Sequence, residues 1–158
     1  MKLNLPDEAA MQRLGAALAD SLPDLRSGSL LLALQGELGT GKTTLARGLL
    51  RALGVEGPVR SPTFTLVEPY ETNAGTIHHL DLYRLQGTQP ELDALGYRDY
   101  RGMPGLVIVE WPERGETGLG PADLRITIEH RPVGRGVRIS AATDAGRVWQ
   151  GALRYERI

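Results

Sequence analysis

Cysteine is absent from the 158 residues. This excludes disulfide frameworks, thiolate zinc sites and cysteine nucleophiles. Only three histidines are present, too few and too badly spaced for a histidine-rich metal site. The longest unbroken aliphatic run covers residues 30–34, far short of the ~20 residues a membrane helix needs, so no membrane association is expected. No positively charged and then apolar leader opens the chain, and the expected setting is the cytoplasm. The net charge is −1, which argues against a nucleic-acid binder that relies on bulk positive charge. Lysine is scarce: of 18 basic residues only Lys2 and Lys42 are lysine. A lysine kept in a chain that otherwise uses arginine invites a reason.

What is present suits one compact domain spanning residues 1–158. Hydrophobic residues make up 41% and charged residues 23%. The charge is uneven. Residues 1–124 carry two Lys and nine Arg against 16 acids, whereas residues 125–158 carry seven Arg against three acids. An ordinary solvated surface accounts for this.

Residues 2–5 alternate and read as a short strand, and Pro6-Asp7-Glu8 reads as a helix start favoured by the dipole. Met11, Leu14, Leu18 and Leu22 recur every three or four residues, one face of a helix. Residues 30–35, bounded by Gly28 and Gly36, read as a buried strand, and 42–53 as a helix stopped by Gly54. Residues 63–70 and 76–83, joined by the turn signal Thr72-Asn73-Ala74-Gly75, read as an antiparallel hairpin. A short helix is expected over 90–98, a strand over 106–110, and a second hairpin over 124–130 and 137–142. Residues 146–158 are ambiguous, with helix preferred.

Gly36-Glu37-Leu38-Gly39-Thr40-Gly41-Lys42-Thr43 matches G-x-x-x-x-G-K-[ST], with a strand before it and a helix after it. Glycines let successive N–H groups turn inward, and together with the helix N-terminus they form an anion cradle. In such a loop the lysine places a compact charge between phosphates, and the threonine supplies a hydroxyl to Mg²⁺. An arginine fork is bulkier and does not sit as a point charge, which explains the retained Lys42. Guanine recognition typically uses N-K-x-D, and no lysine follows Lys42, so ATP is favoured.

Such chains hold Mg²⁺ through a second, acidic site at a strand end. Residues 106–109 are apolar and end in Glu110, the form expected of that strand. Asp81 is the second candidate: His79, Asp81 and Tyr83 share one strand face, and Leu80 and Leu82 the other. This polar face is either functional or the solvated side of a hairpin. Trp111 beside Glu110 is either a lid or an edge-of-core residue, and spacing leans toward the core. Ser61-Pro62-Thr63 is either a switch segment or a plain turn. Arg84 is the nearest candidate for an arginine finger, but odd-even counting puts it with Leu80 and Leu82, away from Asp81.

Taken together, residues 36–44, the run Ser61-Pro62-Thr63-Phe64-Thr65-Leu66-Val67-Glu68-Pro69-Tyr70, the run His79-Leu80-Asp81-Leu82-Tyr83-Arg84 and Val109-Glu110-Trp111-Pro112 resemble the TsaE (YjeE) family in order and spacing. The resemblance covers nearly the whole chain. It implies a three-layer α/β P-loop NTPase fold with a mixed, partly antiparallel central sheet. It implies a Mg-dependent ATPase of bacterial tRNA threonylcarbamoyladenosine biosynthesis, weak alone and stimulated by the TsaD and TsaB proteins, with tRNA met only through that complex. Lys42 would lie on phosphate, Thr43 and Glu110 on Mg²⁺, and Asp81 close to the metal. Gly36, Glu37, Leu38, Gly39, Thr40 and Gly41 would form the loop. Thr44, Thr63 and Trp111 match positions tied to nucleotide or switch function. Asp7 and Glu8, with Gly134 and Arg135, are the candidate base contacts. The main rival is a small-molecule P-loop kinase. That chemistry normally needs an arginine-bearing lid, and residues 112–124 are rich in glycine and proline.

Overall fold

The computed structural model describes residues 1–155. In chain order the elements are β1 (Lys2–Leu5), α1 (Glu8–Asp20), β2 (Ser29–Gly36), α2 (Lys42–Ala52), β3 (Val67–Thr72), β4 (Gly75–Asp81), α3 (Gln89–Leu95), α4 (Tyr97–Arg101), β5 (Gly105–Glu110), α5 (Glu116–Leu119), β6 (Leu124–His130), β7 (Arg135–Ala141) and α6 (Asp144–Ala152). The seven described strands form one sheet in the order β1-β7-β6-β2-β5-β4-β3. β2 lies parallel to β5 and β6, and β4 parallel to β5, whereas β3, β7 and β1 pair antiparallel. Pro69 lies on β3, at the sheet edge, where a missing N–H costs no ladder bond.

Alternation along the central strands gives the sheet two apolar faces. Leu30, Leu32, Leu34, Leu106, Ile108 and Ile77 pack against α1, α2 and Trp149 of α6. Leu31, Ala33, Leu80, Val107 and Val109 pack against Leu92, Tyr97 and Leu119 of α3, α4 and α5. This is the expected three-layer arrangement with a mixed sheet. α1 and α2 meet at two glycines: a Cβ on Gly15 would lie 2.3 Å from Leu45 O, and one on Gly48 2.3 Å from Gln12 O. Among the described residues no helix is long and apolar enough to cross a membrane.

Three expectations change. The strand expected over 63–70 begins only at Val67, because residues 63–66 form a turn in which Leu66 N–H donates to Pro62 O at 2.6 Å. Leu66 there has a left-handed φ of 69°. β4 ends at Asp81, so the odd-even count fails beyond it. Arg84 does not join the Leu80 face; its guanidinium stacks over the exposed Phe64 ring at 4.2 Å. The helix expected over 90–98 is two helices, divided by Gly96 at a left-handed φ of 86°. Of the helix preferred over 146–158, α6 accounts for residues up to Ala152; residues 153–155 are not helical, and 156–158 lie outside the described residues.

Candidate functional site

Because β2, β4 and β5 run parallel, their carboxyl ends share one edge of the sheet. Register puts Asp81 beside Glu110 and Glu110 beside Leu34. The glycine-rich loop leaves the sheet at this edge, the usual ligand crevice of an open α/β sheet. Gly39 and Gly41 adopt φ of 74° and 112°, values that glycine takes without strain. The loop thereby turns into α2 with Thr43 in its first turn. On the α2 face of the sheet, β4 presents Ile77, His79 and Asp81 in register with Leu106, Ile108 and Glu110 of β5.

The polar groups converge there. Thr43 Oγ1 donates to Glu110, 2.9 Å from Oε1 and 3.2 Å from Oε2. His79 Nε2 lies 2.7 Å from Glu110 Oε2. Asp81 Oδ2 accepts from Ser61 Oγ at 2.5 Å and Thr63 Oγ1 at 3.0 Å, and Asp81 Oδ1 accepts from Tyr83 N–H at 2.8 Å. Both acids are only 2% exposed. The β4 face is thus buried and engaged, not a solvated hairpin face. The Ser61–Thr63 segment is tied to it by two hydroxyls.

Lys42 Nζ donates to Gly36 O at 2.6 Å and Glu37 O at 3.0 Å, and lies 4.2 Å from the Trp111 ring centroid. Burial pushes the lysine below its ordinary value, with Glu110, Glu113, Asp81 and Glu37 opposing that shift. Trp111 carries a left-handed φ of 58°, costly for a bulky residue that precedes proline. Its ring tilts against Tyr83, with centroids 4.9 Å apart. The tryptophan packs at the edge of the second core, as spacing favoured, and also lines the cleft. Strain at such a position is a mark of functional sites.

A cleft of about 310 Å³ is lined by Leu38, Gly39, Gly41, Lys42, Thr43, Thr44, Ser61, Thr63, Asp81, Tyr83, Glu110 and Trp111. A second cleft, also about 310 Å³, adjoins it through Gly39, Gly41 and Thr44 and is walled by Asp7, Glu8, Met11, Gly134 and Arg135. The two candidate base-contact pairs, over a hundred residues apart in sequence, therefore meet beside the loop. Their side chains also hold the fold. Asp7 Oδ1 caps α1 through Ala10 N–H at 2.8 Å, and Glu8 lies 3.8 Å from Arg47. Arg135 donates to Thr40 O and Gly39 O, both at 3.2 Å. Residue spacing put His79 and Tyr83 on the face of Asp81, but it did not reveal the bonds from Ser61 and His79 to the two acids, nor Met11 as a cleft wall.

The groups present suit a hard cation. Among the described residues no set of three or more His, Asp and Glu side chains is placed to hold a metal alone. The cleft offers one hydroxyl and two carboxylates. Mg²⁺ typically takes one or two carboxylates and completes its shell with phosphate oxygens and water.

A glycine-rich loop closing a central parallel strand, with two buried acids on the adjacent strand ends, defines a protein of P-loop NTPase fold. A crystal structure of YdiB from Bacillus subtilis is similar over 97% of this chain and 93% of that one, with a TM-score of 0.77 and 26% identity. The family described as "Threonylcarbamoyl adenosine biosynthesis protein TsaE" matches residues 5–137, and the chain belongs to that TsaE family. Proteins named "tRNA threonylcarbamoyladenosine biosynthesis protein TsaE" are similar to it over most of its length. The one from Haemophilus influenzae is 40% identical over 144 residues, 90% of each chain. The one from Streptomyces coelicolor is 40% identical over 147 residues, 90% of this chain and 95% of its own. The one from Aquifex aeolicus is 44% identical over 114 residues, 71% and 77%.

Proposed function

We propose that this chain binds and slowly hydrolyses Mg-ATP and acts as a nucleotide-driven switch on the TsaD–TsaB pair during tRNA threonylcarbamoyladenosine biosynthesis in the cytoplasm. The observation that carries the reading is the convergence of Lys42, Thr43, Glu110 and Asp81 in one cleft, with Ser61 and Thr63 bonded to Asp81. The loop amides and Lys42 hold the triphosphate; Lys42 exchanges its two carbonyl acceptors for phosphate oxygens. The second cleft takes the base, between Glu8 and Arg135. Thr43, Glu110 and Asp81 would hold Mg²⁺, which would supply positive charge against the negative charge developing on the phosphate. Glu110 orients the attacking water and accepts its proton. Trp111 covers Lys42 and keeps solvent from that side.

Among the described residues no arginine lines the main cleft. Arg84 is held outside on Phe64. Hydrolysis by the isolated protein is therefore slow, and a partner that completes the site supplies about 10³–10⁵ in rate. The segment after β5 folds as a single helical turn, Pro112–Arg114, and the four-residue α5, and not as a long lid. This supports hydrolysis over phosphoryl transfer to a small molecule. Residues 61–66 carry the switch: Thr63 leaves or keeps Asp81 according to the nucleotide bound.

The test uses calorimetry and turnover together. Lys42→Ala should weaken Mg-ATP binding. Glu110→Gln should bind Mg-ATP, lose about 10²–10⁴-fold in hydrolysis, and support at most one round of tRNA modification with TsaD and TsaB. Unchanged affinity in Lys42→Ala would remove the site assignment. Many rounds at wild-type speed with Glu110→Gln would remove the switch.

A further inference from the structure

His79 has no part in the chemistry assigned above. Its side chain is 0% exposed; on the same face its strand neighbours are Ile77 and Asp81 along β4, Ile108 across β5 and Glu68 across β3. Nε2 meets Glu110 Oε2 at 2.7 Å, while Nδ1 has no partner among the described residues. An ionised carboxylate only accepts, so the ring donates from Nε2. A residue selected for packing alone would leave no orphan: leucine or phenylalanine fills such a space without burying an unpaired nitrogen.

What Nε2 does follows from the other side of the carboxylate. Thr43 reaches Glu110 from the start of α2, and His79 reaches it from β4. The glutamate is thus held between a helix and a neighbouring strand by two donors, and its side-chain torsions are no longer free. We infer that His79 is a positioning residue for the hydrolytic reaction, fixing the Glu110 carboxylate against Thr43 at the metal-binding end of the cleft. The inference rests on the Mg-ATP reading given above.

The experiment compares His79→Phe, which keeps ring volume without a donor, with His79→Gln, whose amide nitrogen reaches toward the Nε2 position. Partners that orient metal ligands typically contribute about 10–100-fold to metal affinity or activity. His79→Phe should lose Mg-ATP turnover on that scale. Its half-saturating Mg²⁺ concentration, read from Trp111 fluorescence, should rise similarly. ATP binding in EDTA should stay at the wild-type value, because Lys42 and the loop amides are untouched. His79→Gln should recover most of the loss, and His79→Asn, too short to reach Oε2, should not. The Gln–Asn contrast carries the test if the Phe variant does not fold. In protein free of metal and nucleotide, heteronuclear NMR should show a slowly exchanging Nε2 proton on His79 that shifts in Glu110→Gln. Wild-type turnover and Mg²⁺ response in the Phe and Asn variants, a Gln variant as inactive as Phe, or no protected Nε2 proton would each overturn the inference. A wild type whose ATP binding ignores Mg²⁺ would instead remove the underlying reading, and this inference with it.

Discussion

Replacing Thr63 by valine keeps its shape and removes one of the three donors to Asp81, at 3.0 Å. Hydrogen bonds to a charged acceptor contribute about 1.5–3 kcal/mol. Asp81 retains Ser61 Oγ and Tyr83 N–H, so the low end applies, about 1.5 kcal/mol. That corresponds to about a tenfold rise in the population of an opened 61–66 turn. Two amides report it directly. Leu66 N–H is held by Pro62 O, and Asp81 N–H by Leu66 O at 3.1 Å. Both should lose about tenfold in native-state hydrogen-exchange protection, while the amides of β2, ladder-bonded between β5 and β6, should not change. Ser61→Ala removes the shorter 2.5 Å bond and should open the turn further. Unchanged protection at Leu66 and Asp81, or a loss spread equally over β2, would refute the idea that the Asp81 hydroxyl pair latches this turn.

Three other outcomes follow from the geometry. Gly48→Ala places a Cβ 2.3 Å from the backbone oxygen of Gln12; it should cost about 1–3 kcal/mol, seen as a lower urea midpoint, and an unchanged midpoint contradicts the close α1–α2 contact. Burial holds Lys42 below its ordinary 10.5, so folding disfavours the ammonium below the lowered value and stability rises as pH climbs from there toward 10.5. A bound phosphate reverses that preference, and calorimetry in buffers of different ionisation enthalpy should show proton uptake on ATP binding in this alkaline range, absent in Lys42→Met. Arg135→Ala frees Thr40 O and Gly39 O and should weaken ATP binding without altering the Glu110 contacts, measured by titration of nucleotide against each variant.

Much of this was legible because period and punctuation agree. The short leucine run between Gly28 and Gly36 favours a buried strand over a helix, and the glycine loop with Lys42 follows it at once. The parity of Leu80 and Leu82 against His79 and Asp81 predicted the correct faces, since both acids lie within or at the end of a true strand. Parity fails for Arg84 because β4 stops, and nothing in residues 82–84 marks the stop. Residues 63–66 carry β-branched and aromatic side chains, yet the bond from Leu66 N–H to Pro62 O bends them into a turn; tertiary context overrides propensity. Trp111 reads by spacing as edge-of-core, which it is, and what spacing does not show is the left-handed backbone with the indole over Lys42. The His79–Glu110 and Arg135–Gly39 contacts span 31 and 96 positions; they depend on sheet order, which local pattern does not encode.

The last of those spans bears on when the protein becomes competent during its own synthesis. Residues 36–43 are contiguous, and a nascent chain of about 120 residues already contains the whole motif and both acids. It lacks β6, which pairs Gly36 with Ile128, and it lacks His130 on Leu38 O and Arg135 on Gly39 and Thr40. Contacts between segments this distant in sequence form slowly, because loop closure precedes any gain from them. The loop is thus complete only once residues 124–135 have paired beside it. A ribosome-bound fragment ending before residue 124 should carry every residue of the motif and bind no nucleotide.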